Sequence, residues 1–117
     1  MRVLIVDDSR LSRMMLSKIV EDTIPDATIF EAGSGEEALG VTKDLDQVDI
    51  AIIDHNMPGI TGIELFDQFR GRLDIAKRVL LTANVQDSVR SKAEENGILF
   101  QGKPIDEQVI RLLLLED

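Results

Sequence analysis

The chain predicts an α/β domain in which five parallel strands form a doubly wound sheet with helices on both faces. Two observations carry this. Short unbroken apolar runs recur along the chain, and between them lie stretches with helical spacing long enough to cross over a sheet. Strands buried on both faces read as continuous apolar runs, and parallel neighbours need long crossovers that are almost always right-handed.

The strands come in order. Val3-Leu4-Ile5-Val6 and Ile50-Ala51-Ile52-Ile53 each end in aspartate, and Val79-Leu80-Leu81-Thr82-Ala83 is a third run of the same kind. Thr28-Ile29-Phe30-Glu31-Ala32 and Ile98-Leu99-Phe100 are weaker and more mixed, which places them nearer the edges of the sheet.

The helices show recognisable starts. Ser9 can cap the first, whose residues Leu11, Met15 and Ile19 step by four as an apolar stripe. Ser34-Gly35-Glu36-Glu37 and Thr61-Gly62-Ile63-Glu64 match the capping-box pattern. Leu65, Phe66, Phe69 and Leu73 form a one-sided stripe on the third helix. Between Val85 and Gly97 only Val85, Val89 and Ala93 keep apolar spacing amid many charges, so the fourth helix has little to hold it and is expected to shift cheaply. Leu112 to Leu115 sweep about 300° of the last helix, wider than one core-facing stripe, so at least one of them should stay exposed or meet a partner.

Size and charge narrow the function. A chain of 117 residues fits one compact domain that buries roughly two thirds of its unfolded surface. With 22 acidic against 13 basic residues the net charge is -9, which disfavours direct docking on nucleic acid or an anionic membrane. The absence of cysteine removes disulfides and thiolate metal sites and suits a cytoplasmic protein. The apolar run behind Arg2 is shorter than the ~7–15 residues of a signal-peptide core, and no run approaches the ~20 residues of a membrane span.

In open sheets of this kind ligands bind beyond the carboxyl ends of the strands, where strand order reverses. Asp7, Asp8 and Asp54 all stand at such ends. If their strands are neighbours, the three carboxylates share one cleft, and two unit charges about 4 Å apart repel by roughly 4 kcal/mol at an effective dielectric near 20. Such a cluster needs a cation or a proton. Oxygen ligands without His or Cys suit a hard cation such as Mg²⁺, and no Ca²⁺-loop spacing is present. Thr82 and Lys103 bring a hydroxyl and an ammonium to the same edge from two further strands. Taken singly, each of these residues has a plain structural role: a helix cap at Asp7-Asp8-Ser9, a turn at Asp54, a β-branched strand residue, a solvated lysine. Their joint arrival at one edge is the signal.

The pattern resembles the receiver domain of two-component response regulators over essentially the whole chain. The matching residues are Val6-Asp7-Asp8-Ser9, Asp54-His55-Asn56-Met57-Pro58-Gly59 with Gly62 and Glu64, Thr82-Ala83, and Lys103-Pro104. The resemblance implies a flavodoxin-like (βα)₅ fold with strand order 2-1-3-4-5 and one receiver domain over residues 1–117. It implies Asp54 as phosphoacceptor, and Mg²⁺ held by Asp8, Asp54 and the Asn56 backbone carbonyl, with Asp7 acting mainly through a metal-bound water. It also implies that Lys103 and Thr82 bind phosphoryl oxygens, that Phe100 is the switch aromatic, that Asn56 and Asn84 tune hydrolysis, and that the Lys103–Pro104 peptide is cis. Phe100 lacks the phenolic hydroxyl that many relatives carry, so its rotation is expected to be governed by packing alone. His55, the only histidine, reads as a loop residue rather than a donor or ligand.

The partners implied are a histidine kinase or phosphotransfer protein, a downstream target or attached output domain, and a homodimer formed on phosphorylation. No ATP-binding glycine loop is present, so the phosphodonor is external. The chain would be a signalling switch that catalyses only its own phosphorylation and dephosphorylation, not an enzyme acting on other substrates. One alternative is a degenerate receiver working as a phosphorylation-independent interaction module. An aspartate-nucleophile phosphatase would want Asp where Asn56 stands, and a flavin binder would want Trp or Tyr, which the chain lacks. A free-standing regulator and a domain cut from a longer protein both fit a chain that ends at Asp117, just after the last helix.

Overall fold

The computed structural model describes residues 1–116; Asp117, the last residue of the range assigned to the domain, lies outside the described residues. Ten elements alternate strictly: β1 (Arg2–Val6), α1 (Arg10–Thr23), β2 (Thr28–Ala32), α2 (Gly35–Val41), β3 (Gln47–Ile53), α3 (Gly62–Phe69), β4 (Asp74–Thr82), α4 (Asp87–Glu95), β5 (Leu99–Gly102) and α5 (Glu107–Leu115). The strands form one parallel sheet in the order β2-β1-β3-β4-β5, with the two mixed strands at its edges as expected.

Alternation along the strands divides the core into two layers. Leu4, Val6, Ala51, Ile53 and Leu80 face α2, α3 and α4, whose Ala38, Leu65, Phe66, Phe69, Val89 and Ala93 cover them. Val3, Ile5, Ile50, Ile52, Val79 and Leu81 face α1 and α5 through Leu16, Ile19, Val20, Ile110 and Leu114. Strand order reverses between β1 and β3, so the residues just after these two strands share the crevice where ligands bind in such sheets.

Several local expectations are corrected. Leu11 and Met15 are exposed, and the buried side of α1 is instead Leu16, Ile19 and Val20. Steps of four drift by about 40° each, so a helix that turns Ile19 to the sheet carries Leu11 well off that line. Val85 lies outside α4 and is exposed, leaving Val89 and Ala93 as that helix's buried residues. Leu73 is buried as expected but follows α3 rather than belonging to it. Strands β3 and β4 begin earlier than their apolar runs, because Gln47–Asp49 and Asp74–Arg78 pair at the far end of the sheet despite their polar residues.

Other expectations hold. Ser9 accepts from the Ser12 N–H and Ser34 from the Glu37 N–H, while Thr61 and Glu64 close the full reciprocal capping box. In the leucine run Leu114 is buried, and Leu112 and Leu115 are exposed. The Lys103–Pro104 peptide is cis.

Candidate functional site

The site is an extension of the sheet ladder by one residue. The Asp7 N–H donates to the Ala32 carbonyl (3.1 Å), the Asp54 N–H to the Val6 carbonyl (2.9 Å) and the Lys103 N–H to the Thr82 carbonyl (2.9 Å). Each of the three residues is thus held one step beyond its strand by a neighbouring strand, which fixes the backbone while leaving the side chain free to point over the sheet edge. A carboxylate oxygen from each of Asp7, Asp8 and Asp54 lies within 4.8 Å of the others. Asp7 and Asp54 are buried and Asp8 is exposed, so the cluster opens to solvent on one side.

Lys103 closes the opposite side. Its ammonium donates to Asp7 Oδ2 (2.8 Å), more distantly to Asp54 Oδ2 (3.4 Å), and to Ser12 Oγ on α1 (3.4 Å). Burial works to lower its pKa, but the hydrogen bond to Asp7 and the charges of Asp54 and Asp7 outweigh it, so the pKa lies above the ordinary lysine value. The ammonium therefore stays charged across the physiological range. Asp7 Oδ1 is taken by the Ser9 N–H (2.9 Å).

Asp54 Oδ1 differs from all of these. It is buried and has no hydrogen-bond partner among the described residues. A buried carboxylate oxygen without a donor is costly and points to a missing partner. With two more carboxylates within 4.8 Å and an all-oxygen donor set, the arrangement fits a hard divalent cation.

Thr82 is buried, and its Oγ1 accepts from the Asn84 N–H (3.1 Å). Asn84 Nδ2 donates to Asn56 Oδ1 (3.3 Å), so the residues two beyond Asp54 and two beyond Thr82 are joined to each other. Phe100 is half-buried two residues before Gly102, the register partner of Thr82. Beside its packing, the Phe100 ring has a contact that the chain did not announce: the Arg90 guanidinium of α4 lies 4.6 Å from its centroid, a cation–π contact. His55 lies in the loop after β3, outside the carboxylate cluster; burial lowers its pKa despite the nearby Asp54.

Two features escaped sequence reasoning. Gly62 opens α3 so close to the site that a Cβ there would fall 2.4 Å from the Asp54 carbonyl oxygen. Arg13 NH1 donates to the Asp7 carbonyl at 2.6 Å, although Arg13 reads along the chain as an ordinary polar helix residue.

A doubly wound sheet that gathers three aspartates and a lysine at its switch point presents the donor set of a hard-cation site. The chain belongs to the response regulator receiver domain family, whose sequence model matches residues 3–114. It is 30% identical over 115 residues to the cyclic di-GMP phosphodiesterase response regulator RpfG of Xanthomonas campestris pv. campestris, covering 95% of this chain and 30% of that protein. Among solved structures it is similar to the N-terminal domain of an uncharacterized protein from Wolinella succinogenes (TM-score 0.84, 29% identity, 97% of this chain and 90% of that one). It is also similar to the chemotaxis response regulator CheY4 of Vibrio cholerae (TM-score 0.76, 27% identity, 97% and 94%). The chain spans less than half the length of the curated relatives it matches. Receiver domains are signalling switches activated by phosphorylation, and they bind Mg²⁺ through an acidic cluster. No helix among the described residues is long and apolar enough to cross a membrane.

Proposed function

We propose that residues 1–117 work as one receiver domain in which Asp54 accepts a phosphoryl group in a Mg²⁺-dependent reaction and thereby resets the surface formed by α4, β5 and α5. The observation that carries this reading is the unpartnered, buried Asp54 Oδ1 beside two further carboxylates and a charged lysine. Asp8, Asp54 and the Asn56 carbonyl would hold the ion, with Asp7 acting through one of its waters; the bound ion supplies charge neutralisation for the carboxylates and the incoming phosphoryl oxygens.

One carboxylate oxygen of Asp54 is the nucleophile. Its bond to phosphorus forms as the phosphorus–nitrogen bond of a phosphohistidine, or the phosphorus–oxygen bond of a small phosphodonor, breaks and the leaving group keeps the electron pair. The product carries a charge of about −2. Lys103, now shared between Asp7 and Asp54, can turn its ammonium to that charge, and Thr82 can donate its hydroxyl proton to another phosphoryl oxygen. Movement of Thr82 toward the phosphoryl group opens space beside Phe100, and the Arg90 contact passes any motion of that ring to α4. Asn56 and Asn84, bonded to each other, control the approach of water and so the lifetime of the phosphorylated state.

The donor is a histidine kinase, a phosphotransfer protein or a small phosphodonor in the cytoplasm. Leu11, Met14 and Met15 make an exposed apolar face on α1, which starts beside the aspartate pair, and they offer the protein donor a landing surface next to the acceptor. The reset surface engages a downstream target or attached output domain, or a second phosphorylated copy, through exposed Leu99, Leu112 and Leu115.

Incubation with Mg²⁺ and acetyl phosphate, followed by intact-mass measurement, tests the reading. Wild type should gain about 80 Da, the mass of one phosphoryl group, and Asp54→Asn should gain nothing. No gain in wild type under any donor would leave a phosphorylation-independent interaction module as the better account.

A further inference from the structure

Arg13 sits on the fourth position of α1, and its side chain is only 21% exposed. Its guanidinium makes two directed contacts: NH1 donates to the Asp7 carbonyl at 2.6 Å, and Nε faces Glu31 Oε1 of β2 at 3.7 Å. It also packs against the β2–α2 connection, where a Cβ on Gly33 would lie 3.2 Å from NH1 and 3.8 Å from the Glu37 carboxylate. One side chain therefore ties the end of β1, the end of β2 and the next loop together around a single peptide group.

That peptide group is the one joining Asp7 to Asp8. Asp7 has three restraints of its own: its N–H on Ala32, one carboxylate oxygen on Ser9 and the other on Lys103. Asp8 has no side-chain hydrogen bond among the described residues and is exposed, so no polar partner of its own steadies it and the backbone sets the point from which its carboxylate reaches out. The Asp7 carbonyl and the Asp8 N–H share one rigid plane. Holding the carbonyl holds the Asp8 Cα, from which a carboxylate oxygen reaches to within 4.8 Å of Asp54. The charge of Arg13 does not make it a rival cation, because Glu31 stands against it and the Glu37 carboxylate lies by the same glycine.

We propose that Arg13 is a positioning residue for the Mg²⁺ site, acting through the Asp7–Asp8 peptide rather than by touching the ion. This rests on the reading of the aspartate cluster given above. Groups that orient metal ligands from behind typically change affinity by about 10- to 100-fold when removed. A planar guanidinium can reach the Asp7 carbonyl and Glu31 together, whereas an ammonium is a point donor that can satisfy one of them.

Mg²⁺ titration calorimetry, with thermal melts of the same samples, provides the test. Arg13→Gln should weaken Mg²⁺ binding about 10-fold, and Arg13→Lys should fall between it and wild type. At saturating Mg²⁺ the rate of phosphorylation by acetyl phosphate should return to within about twofold of wild type, because the nucleophile and Lys103 are untouched. Arg13→Lys keeps the charge and most of the aliphatic stem, so it carries the test if Arg13→Gln does not fold. Unchanged Mg²⁺ affinity in Arg13→Gln and Arg13→Lys, with or without a lower melting temperature, overturns the positioning role while leaving the pocket's reading intact. Failure of the wild type itself to bind Mg²⁺ overturns the reading of the pocket.

Discussion

Helices α3 and α4 lie next to each other on the same face of the sheet, yet they are held in very different ways. Five of the eight residues of α3 are buried, and its first turn is locked by the Thr61–Glu64 capping box. Only two of the nine residues of α4 are buried, and its N-cap Gln86 makes no side-chain capping bond. α3 touches the site directly, through Gly62 against the Asp54 carbonyl, whereas α4 is linked to it at one remove: its N-cap Gln86 donates an N–H to Asn84, which bonds Thr82 and Asn56, and its Arg90 lies over Phe100. Buried apolar area decides which of two adjacent elements can move. On the proposed reading, a site linked to one fixed and one loosely held helix would keep Asp54 in place while passing a change of charge outward.

The comparison can be broken at its anchor. Phe69→Ala, at the fully buried end of α3, should cost about 3–5 kcal/mol, read by urea denaturation. Val89→Ala on α4 should cost less than about 2 kcal/mol. Equal losses would mean that α4 is anchored as firmly as α3.

Gly62→Ala should come next in size. Its Cβ would lie 2.4 Å from the Asp54 carbonyl oxygen and 2.8 Å from Leu80 Cδ1, and the first of these is backbone that cannot swing aside. Overpacking of this kind costs about 1–3 kcal/mol, and the displaced Asp54 should also slow phosphoryl uptake from acetyl phosphate. A variant with wild-type uptake would show that α3 does not hold the nucleophile.

Arg90→Gln should barely change stability, by about 0.5–1 kcal/mol for an exposed cation–π pair. Its effect should appear in the ring instead. Fluorine NMR of a fluorinated Phe100 should show a shifted or broadened signal in the variant, and an unchanged signal would remove Arg90 from the switch.

The smallest effect is expected at Glu64. Hydrogen bonding from the Thr61 backbone, then from its side chain, lowers the Glu64 pKa below the usual 4.5. A lowered carboxylate pKa adds stability that is present above 4.5 and is lost as pH falls through the folded-state value. The melting-temperature gap between wild type and Glu64→Ala should therefore be open near pH 6 and narrow by about pH 3. A gap that stays constant would mean that the ionised carboxylate does not support the cap.

Much of this arrangement was legible in the chain because its signals are local. Asp7, Asp54, Thr82 and Lys103 follow or end short strands, so pattern alone brought them to one edge, and the structure places them there. Gly62 and Glu64 were visible in the helix-start pattern, but the close approach of Gly62 to Asp54 was not, since it depends on how α3 meets the sheet. The α1 stripe was misread because a step of four overshoots one helical turn by about 40°, and the exposed residues Leu11 and Met15 look as apolar as Leu16 and Val20. Arg13 and Arg90 were hidden for one reason. Each acts across the fold, on the backbone carbonyl just after β1 or an aromatic ring of β5, and a charged residue on a helix gives no sign of what it will meet.

Hydrogen exchange on the two helices, with and without Mg²⁺ and beryllofluoride as the phosphoryl mimic, is the most direct test of the claim that loading Asp54 is read out through α4. Amides of residues 87–95 should change their exchange on loading while those of residues 62–69 do not. No change in 87–95, or a change confined to 62–69, would contradict it.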